Sequence, residues 1–460
     1  MLPKAIAEYL AAHRDEHLEQ LFEVIRFASI SSQGEHDADC AACAEHLVGC
    51  LRKLGFDAGA RPWRKHPVVL GRRDAGRADA PTVLIYGHYD VQPPEPLELW
   101  KTPPFEPTVR DGAVYARGAS DDKGQLFAHV KAAEALLATT GQLPLNVIYL
   151  FEGEEEIGSP GLEEVVAEHA GELKADFAVI SDSGFFAAGL PSITYGLRGL
   201  TYAEVTVKGP SSDLHSGTHG GAVVNPLNAL AELIGAMRDP ATGRATLPGF
   251  YDDVAALTEA ERRAWEALPF DESAYAADVG ADPAGGERAY SVLERRWARP
   301  TLDCHGLVGG YQGEGAKTVI PSSATAKLSM RLVAHQRPEK VAAALKEFVA
   351  GRAPAGTRAT VEVLTEARPV LMATDSPAVK AVRSALTDAF GAEVAMIRNG
   401  ASVPIAELIQ RVLKIEPIVA GLGLPDDNLH APNEKFSLEQ FDRGRAAAAG
   451  MLNRLGALGV

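Results

Sequence analysis

Cysteine is scarce in this chain: four in 460 residues, at positions 40, 43, 50 and 304. So few exclude a disulfide-stapled scaffold and suit a reducing compartment, which sets the expectation of a cytoplasmic protein. A basic excess is missing too. Lys and Arg total 45 against 61 Asp and Glu, a formal net charge of −16. That balance argues against a nucleic-acid partner, because a phosphate backbone is met by a basic patch. Long apolar runs are also lacking. None approaches the ~18 residues a membrane-spanning helix needs, so no membrane partner is expected. The first thirty residues, MLPKAIAEYLAAHRDEHLEQLFEVIRFASI, show an amphipathic helical pattern rich in Glu, Asp and His rather than the apolar core of an export signal. No internal repeat or low-complexity tract stands out. What remains, with 46% hydrophobic and 23% charged residues, is the make-up of an ordinary soluble enzyme of two or three domains.

The first half alternates strand and helix. TVLIYG (82–87) is the continuous apolar run of a strand buried on both faces, and a helical stretch follows Asp122. LNVIYLF (145–151), the helical GLEEVVAEHAGEL and FAVIS (177–181) extend the rhythm to βαβαβ. This predicts an open α/β sheet with helices on both faces. Near residue 197 the pattern changes. TYAEVTVKG, SATAKLSMRLV and RATVEVLTE alternate apolar and polar residues, as strands with one wet face do, and two helical segments lie among them. Residues 240–300 read as irregular. The expected organisation is a discontinuous α/β domain, 1–196 and 368–460, carrying an inserted α+β domain, 197–367.

Acids and histidines concentrate where the apolar strands end. TVLIYG runs into His88 and Asp90, ARGAS into Asp121 and Asp122, LNVIYLFEG into Glu154, Glu155 and Glu156, and FAVIS into Asp182. Loops at the carboxyl ends of strands in such a sheet converge on one crevice, the usual ligand site. Each segment alone has a plain structural reading: a hydrogen-bonded loop pair, a helix cap or an acidic first turn. Their recurrence at four successive junctions favours a shared cation site, with enough carboxylates for two ions. Cys40, Cys43, His46 and Cys50 also have spacings that could hold zinc. They fall on one amphipathic helix (38–54) and read better as buried small hydrophobes.

GHYDVQP (87–93), GASDDKG (118–124), EGEEEIGS (152–159), ISD (180–182), DLHSG (213–217) and DDNLHAPNE (426–434) together resemble the co-catalytic zinc metallopeptidases of the aminoacylase, carboxypeptidase and carnosinase type. The likeness is greatest in the nonspecific dipeptidase and carnosinase branch, through FYDDV (250–254), the region of Trp297, LDCHGLVGGY and GAKTVIP (315–321). The resemblance implies that His88 and Asp182 bind one metal, Glu156 and His430 the other, and that Asp121 bridges both, next to a cis Asp121–Asp122 peptide. It implies Glu155 as general base and Asp90 as the carboxylate orienting His88. Three consecutive glutamates also admit a base–ligand pair shifted to Glu154/Glu155, and the spacing to Gly158-Ser159 favours Glu155/Glu156. It further implies that His215 crosses a dimer interface to stabilise the oxyanion. Arg331 would hold the substrate's free carboxylate, with polar contacts from Thr318 and Ser402.

The expected activity is hydrolysis of the amide bond of dipeptides with a free C-terminal carboxylate, by water activated at two divalent ions, zinc with manganese or cobalt as alternatives. The expected form is a homodimer joined through the inserted domain, which also serves as a lid. An N-acyl-amino-acid deacylase or a carboxypeptidase of the same family is the alternative. A non-catalytic scaffold on this fold is a third reading, set against the fact that every ligand position is filled.

Overall fold

The computed structural model describes residues 2–459 and divides into two compact units. One comprises 1–195, 372–397 and 404–460. The other comprises 196–371 together with the short return 398–403.

The first unit is built on a mixed sheet. Strand Thr82–His88 lies between Asn146–Glu152 and Phe177–Ile180, parallel to both, and Pro417–Val419 continues the parallel set beside Phe177–Ile180. Val68–Arg73 and Asp57–Arg61 add antiparallel strands on the other flank. Sequence pattern and topology agree here. Val83, Ile85, Val147 and Tyr149 enter one hydrophobic cluster with the flanking helices. The intervening Leu84, Tyr86, Ile148 and Leu150 point to the opposite face and are equally buried. With both faces covered, no polar alternation survives in the sequence.

Helix Lys123–Thr140 is buried over most of its length and ends at Gly141, whose φ of 75° gives the left-handed turn that closes such helices. It packs on the closing helix Leu438–Gly456, capped by the Ser437 side chain. Gly87 allows strand Thr82–His88 to approach the same helix: a Cβ there would lie 2.7 Å from Leu126 Cβ and 2.8 Å from Asp122 Oδ2. The N-terminal amphipathic stretch is two helices, Lys4–Ala12 and Arg14–Ile25, broken at His13.

The second unit holds a four-stranded antiparallel sheet in the order Thr301–Gly309, Ser323–Leu332, Gly199–Lys208, Arg358–Ala367. Val205, Val207, Leu328 and Met330 pack with Leu230, Leu233, Leu345 and Phe348 of helices Pro226–Ala236 and Pro338–Arg352. Residues 240–300 differ from the sequence reading. They contain three short helices, Glu259–Glu266, Glu272–Val279 and Val292–Trp297. The first and third start with capping boxes, Thr258 with Glu261 and Ser291 with Glu294, in which each side chain satisfies the other residue's amide. Among the described residues no helix is long and apolar enough to cross a membrane.

Candidate metal centre

His88 ends its strand, Asp182 follows Phe177–Ile180 by two residues, and Glu155 and Glu156 form a single 3-10 turn just after Asn146–Glu152. These three strands are neighbours and parallel, so their carboxyl ends share one edge. Asp121 stands immediately before helix Lys123–Thr140, joined to Asp122 by a cis peptide. His430 comes from the loop preceding strand Lys435–Ser437, where Asn428, His430 and Asn433 adopt φ of 55°, 60° and 63°. Asn and His are among the residue types that enter that region most readily.

Two ligand groups result, His88 with Asp121 and Asp182, and Asp121 with Glu156 and His430. In each group the donor atoms lie within 4.8 Å of one another. Asp121 belongs to both. Its Oδ1 is 3.0 Å from His88 Nε2 and its Oδ2 3.0 Å from His430 Nε2. Glu156 Oε2 is 3.3 Å from His430 Nε2, and Asp182 Oδ2 is 4.0 Å from His88 Nε2. One imidazole and two carboxylates per group, one carboxylate shared, is a donor set that fits a pair of divalent cations.

Electrostatics points the same way. Burial, reinforced by the charge of Asp121, pushes Glu156 up to about 8 and Asp182 up to about 6. Asp121 resists: burial opposes its ionisation, but hydrogen bonds with His430 and His88 hold it below the usual carboxylate range. A cation held among them would offset the repulsion of carboxylates that burial sets against their own ionisation.

The three glutamates have three different fates. Glu154 is buried, and its Oε1 accepts the backbone N–H groups of Lys65 and His66, each at 2.7 Å. Glu156 joins the ligand group and accepts 2.8 Å from Gln92 Nε2. The Glu155 carboxylate has no hydrogen bond or ion pair among the described residues. Burial, then the charges of Asp182, Glu152 and Glu156, raise it well above the usual range against the opposing pull of His88.

Asp90 is fully buried. Its carbonyl is 3.0 Å from His88 Nδ1 while its carboxylate stands 3.5 Å from that nitrogen. An Nδ1–H donating to this carbonyl fixes the ring with Nε2 facing Asp121, where it would turn its lone pair to a cation held between them. The carboxylate itself mainly organises the glutamate turn, taking the amides of Glu155 at 3.2 Å and Glu156 at 3.0 Å and the Ser31 hydroxyl at 2.7 Å.

A further brace was not visible in the sequence. Glu434, fully buried, accepts from Arg117 Nη1 at 2.8 Å and from the amides of Gly118, Ser120 and Asp121 at 3.0, 3.0 and 3.1 Å. Ser120 in turn donates to Asp427 at 2.7 Å. Glu434 and Asp427 lie inside DDNLHAPNE and Arg117 one residue before GASDDKG. The signal for them was adjacency to ligand residues, not type.

In the second unit the remaining candidates come together in pairs. Strand Leu214–His215 pairs with Val319–Ile320, and Ser216 N donates to Thr318 O at 3.1 Å, which brings His215 beside Thr318. Both are exposed, and among the described residues His215 Nδ1 accepts only the amide of Gly217, at 3.0 Å. Arg331 Nη1 donates to Ser402 Oγ at 3.3 Å. Cys40 and Cys43 are fully buried, and burial pushes the Cys40 thiol up to about 12. Neither they nor His46 joins a ligand group among the described residues.

Comparison with known proteins gives this geometry its context. The model of peptidase family M20/M25/M40 matches residues 84–454. A Cys-Gly metallodipeptidase of Schizosaccharomyces pombe is 32% identical over 453 residues, covering 95% of each chain. The Beta-Ala-His dipeptidase of Homo sapiens is 34% identical over 461 residues, 96% of this chain and 90% of that one. The structure of an M20 family metallo-carboxypeptidase from Sulfolobus solfataricus superposes with a TM-score of 0.86 at 34% identity, covering 96% of this chain and all of that one. A hydrolytic fold, two candidate cation groups that share a carboxylate and whole-length likeness to metallopeptidases lead to one assignment: this chain belongs to peptidase family M20/M25/M40.

Proposed function

We propose that the chain hydrolyses dipeptides with a free C-terminal carboxylate. His88 and Asp182 would hold one divalent cation, Glu156 and His430 the other, and Asp121 both. Zinc suits these donors, with manganese or cobalt as alternatives. Cations there would supply Lewis-acid polarisation of the scissile carbonyl and lower the pKa of water. Glu155 takes the proton of the attacking water as oxygen adds to the carbonyl carbon, then delivers it to the amine nitrogen as the C–N bond breaks. Asp90 holds His88 and the glutamate turn in register. His215, offered by the partner in a homodimer, would donate to the oxyanion. Arg331 would take the substrate carboxylate, with Ser402 and Thr318 as polar contacts. The lid and dimerisation roles of 197–367 and a cytoplasmic location belong to the same proposal.

The observation that carries the reading is the threefold division of labour among Glu154, Glu155 and Glu156. One is locked by backbone amides, one joins a ligand group, and one lies free beside both groups. Only the free one can exchange protons without dismantling the site. Glu155→Gln should abolish nearly all turnover while elemental analysis still finds the wild-type metal content. Wild-type activity in that variant would remove Glu155 as the base.

The second reading is a carboxypeptidase acting on longer chains, favoured by the Sulfolobus solfataricus relative, which is as similar in sequence as the human dipeptidase. A panel of dipeptides, tripeptides and N-acyl amino acids decides between these and the deacylase. The dipeptidase reading requires dipeptides to have the highest kcat/KM.

A further inference from the structure

Arg331 is not the only guanidinium at its end of the second unit's sheet. It sits opposite Leu200 in the antiparallel pairing of Ser323–Leu332 with Gly199–Lys208, and Arg198 directly precedes that second strand. Arg198 makes three bonds to the short return that carries Ser402. Its amide donates to Ala401 O at 3.2 Å, its Nε to Gly400 O at 3.0 Å, and its carbonyl accepts Ser402 Oγ at 2.5 Å. Ser402 Oγ is in turn the acceptor for Arg331 Nη1. The two arginines therefore share one hydroxyl and one loop.

Neither guanidinium has a carboxylate within ion-pair distance among the described residues. Arg198 is half-buried, and burial together with the neighbouring Arg331 charge pulls it down to about 10. Arg296 adds to the effect and Asp303 opposes it, though the Asp303 carboxylate already accepts the Thr301 hydroxyl at 2.8 Å. Like charges brought together without an ion-paired carboxylate form a site that an anion completes. Among the described residues the Arg198 Nη groups donate to no protein acceptor, so they remain available to one.

We propose that Arg198 is a positioning and specificity-determining residue for carboxylate recognition: it pins the Gly400–Ser402 loop that orients Arg331 and supplies the second positive charge of the anion site. The inference rests on the reading of Arg331 as the carboxylate contact. It explains why a chain that belongs mostly to the first unit returns to the second for six residues. That excursion delivers Ser402 to the arginine pair.

The test compares alanyl-alanine with its C-terminal carboxamide. Wild type should prefer the free acid at least 100-fold in kcat/KM, as two charge-assisted contacts would provide. In Arg198→Met the KM for the acid should rise tenfold or more with kcat within threefold, and the preference over the amide should shrink by the same factor. Arg198→Lys, which keeps the charge but not the guanidinium fork, should recover part of both. Should the Met variant fail to fold, Gly400→Ala decides. A Cβ at Gly400 would lie 2.7 Å from Arg198 Nη2 and displace the guanidinium without removing its charge, so KM for the acid should rise at least threefold. Folded variants with unchanged KM, or with equal losses on acid and amide, overturn the inference. Arg331→Met separates it from its foundation. If that variant loses the acid preference while Arg198→Met does not, only the role of Arg198 falls. If Arg331→Met keeps the preference, the carboxylate reading of Arg331 falls and takes this inference with it.

Discussion

The two units hold their polar groups by opposite means. In the first, His88, Asp90 and Glu434 are wholly buried, and each is fixed by neighbours that are themselves fixed. In the second, His215 and Thr318 are exposed, and His215 leans only on the amide of its own turn. The difference follows from what each must hold. Carboxylates that repel one another keep their places only if backbone amides and buried partners replace water. The donor role proposed for His215, toward a transient charge, would let it remain solvated until that charge appears. Substitutions of the buried, braced groups of the first unit should therefore disturb folding and metal together, and those of the exposed candidates in the second should disturb turnover alone.

The harshest test removes the shared carboxylate. Asp121→Asn takes one donor from both groups at once. Both proposed cations should be lost and activity should fall by about 10⁴-fold or more, read by elemental analysis beside turnover. A variant that keeps two metals would show that Asp121 is not common to them. Next comes the brace. Glu434→Ala strands the buried Arg117 guanidinium and the Asp121 amide, a loss of about 3–5 kcal/mol in denaturant unfolding. An effect below about 1 kcal/mol would mean that burial and bracing are not what distinguishes this unit.

From the other side, His215→Ala should lower kcat by about 10²–10³-fold, the usual effect of deleting one oxyanion donor, while unfolding free energy moves by no more than about 0.5 kcal/mol, as for an exposed position. A large stability loss there would erase the contrast. Acid sharpens it. Burial lowers His129, 2% exposed behind the Ser181 hydroxyl, to about 4. The unfolded chain then binds the extra proton first, so the stability contributed by neutral His129 is complete above about pH 6.5 and is lost as pH falls toward 4, about 3 kcal/mol in all. Across that window the unfolding free energy of His129→Asn should fall by about 3 kcal/mol less than that of the wild type.

How much of this was legible in the sequence depended on where the signal was local. The strands Thr82–His88 and Asn146–Glu152 announce themselves as unbroken apolar runs because both faces are covered, and the acids stand at their ends. Strand Gly199–Lys208 shows its one wet face in its alternation. Strand Thr301–Gly309 gave no such pattern, because as an edge strand exposed over most of its length it needs none. The helices of 258–297 did leave a sign, TEAE and SVLE capping boxes, that the polar composition of the segment obscured. Glu434, Arg117 and Ser31 were hidden for a different reason. They act by accepting or donating to backbone and side chains up to about 300 residues away in sequence, and no local spacing encodes such a partner.

Gln92 shows how fine a distinction inside the first unit can be drawn. It sits in HYDVQP, four residues beyond His88, yet its amide serves the other ligand group, donating to Glu156 Oε2 at 2.8 Å and to Glu156 O at 3.2 Å. Without that bond the Glu156 carboxylate rests on its contact with His430, while the charges of Asp121 and Asp90 oppose its ionisation. Loss of a residue that orients a ligand typically weakens metal binding about 10–100-fold. Gln92→Ala should impose that loss on one of the two proposed cations, the one Asp121 and His430 would hold, and leave the His88–Asp182 group near its wild-type affinity. Titration against a chelator of known strength would then show two separated binding steps in place of closely spaced ones. If both steps weaken equally, the shared Asp121 couples the groups so tightly that they act as a single site, and the bracing that separates the two units extends to the pair of ions as a whole.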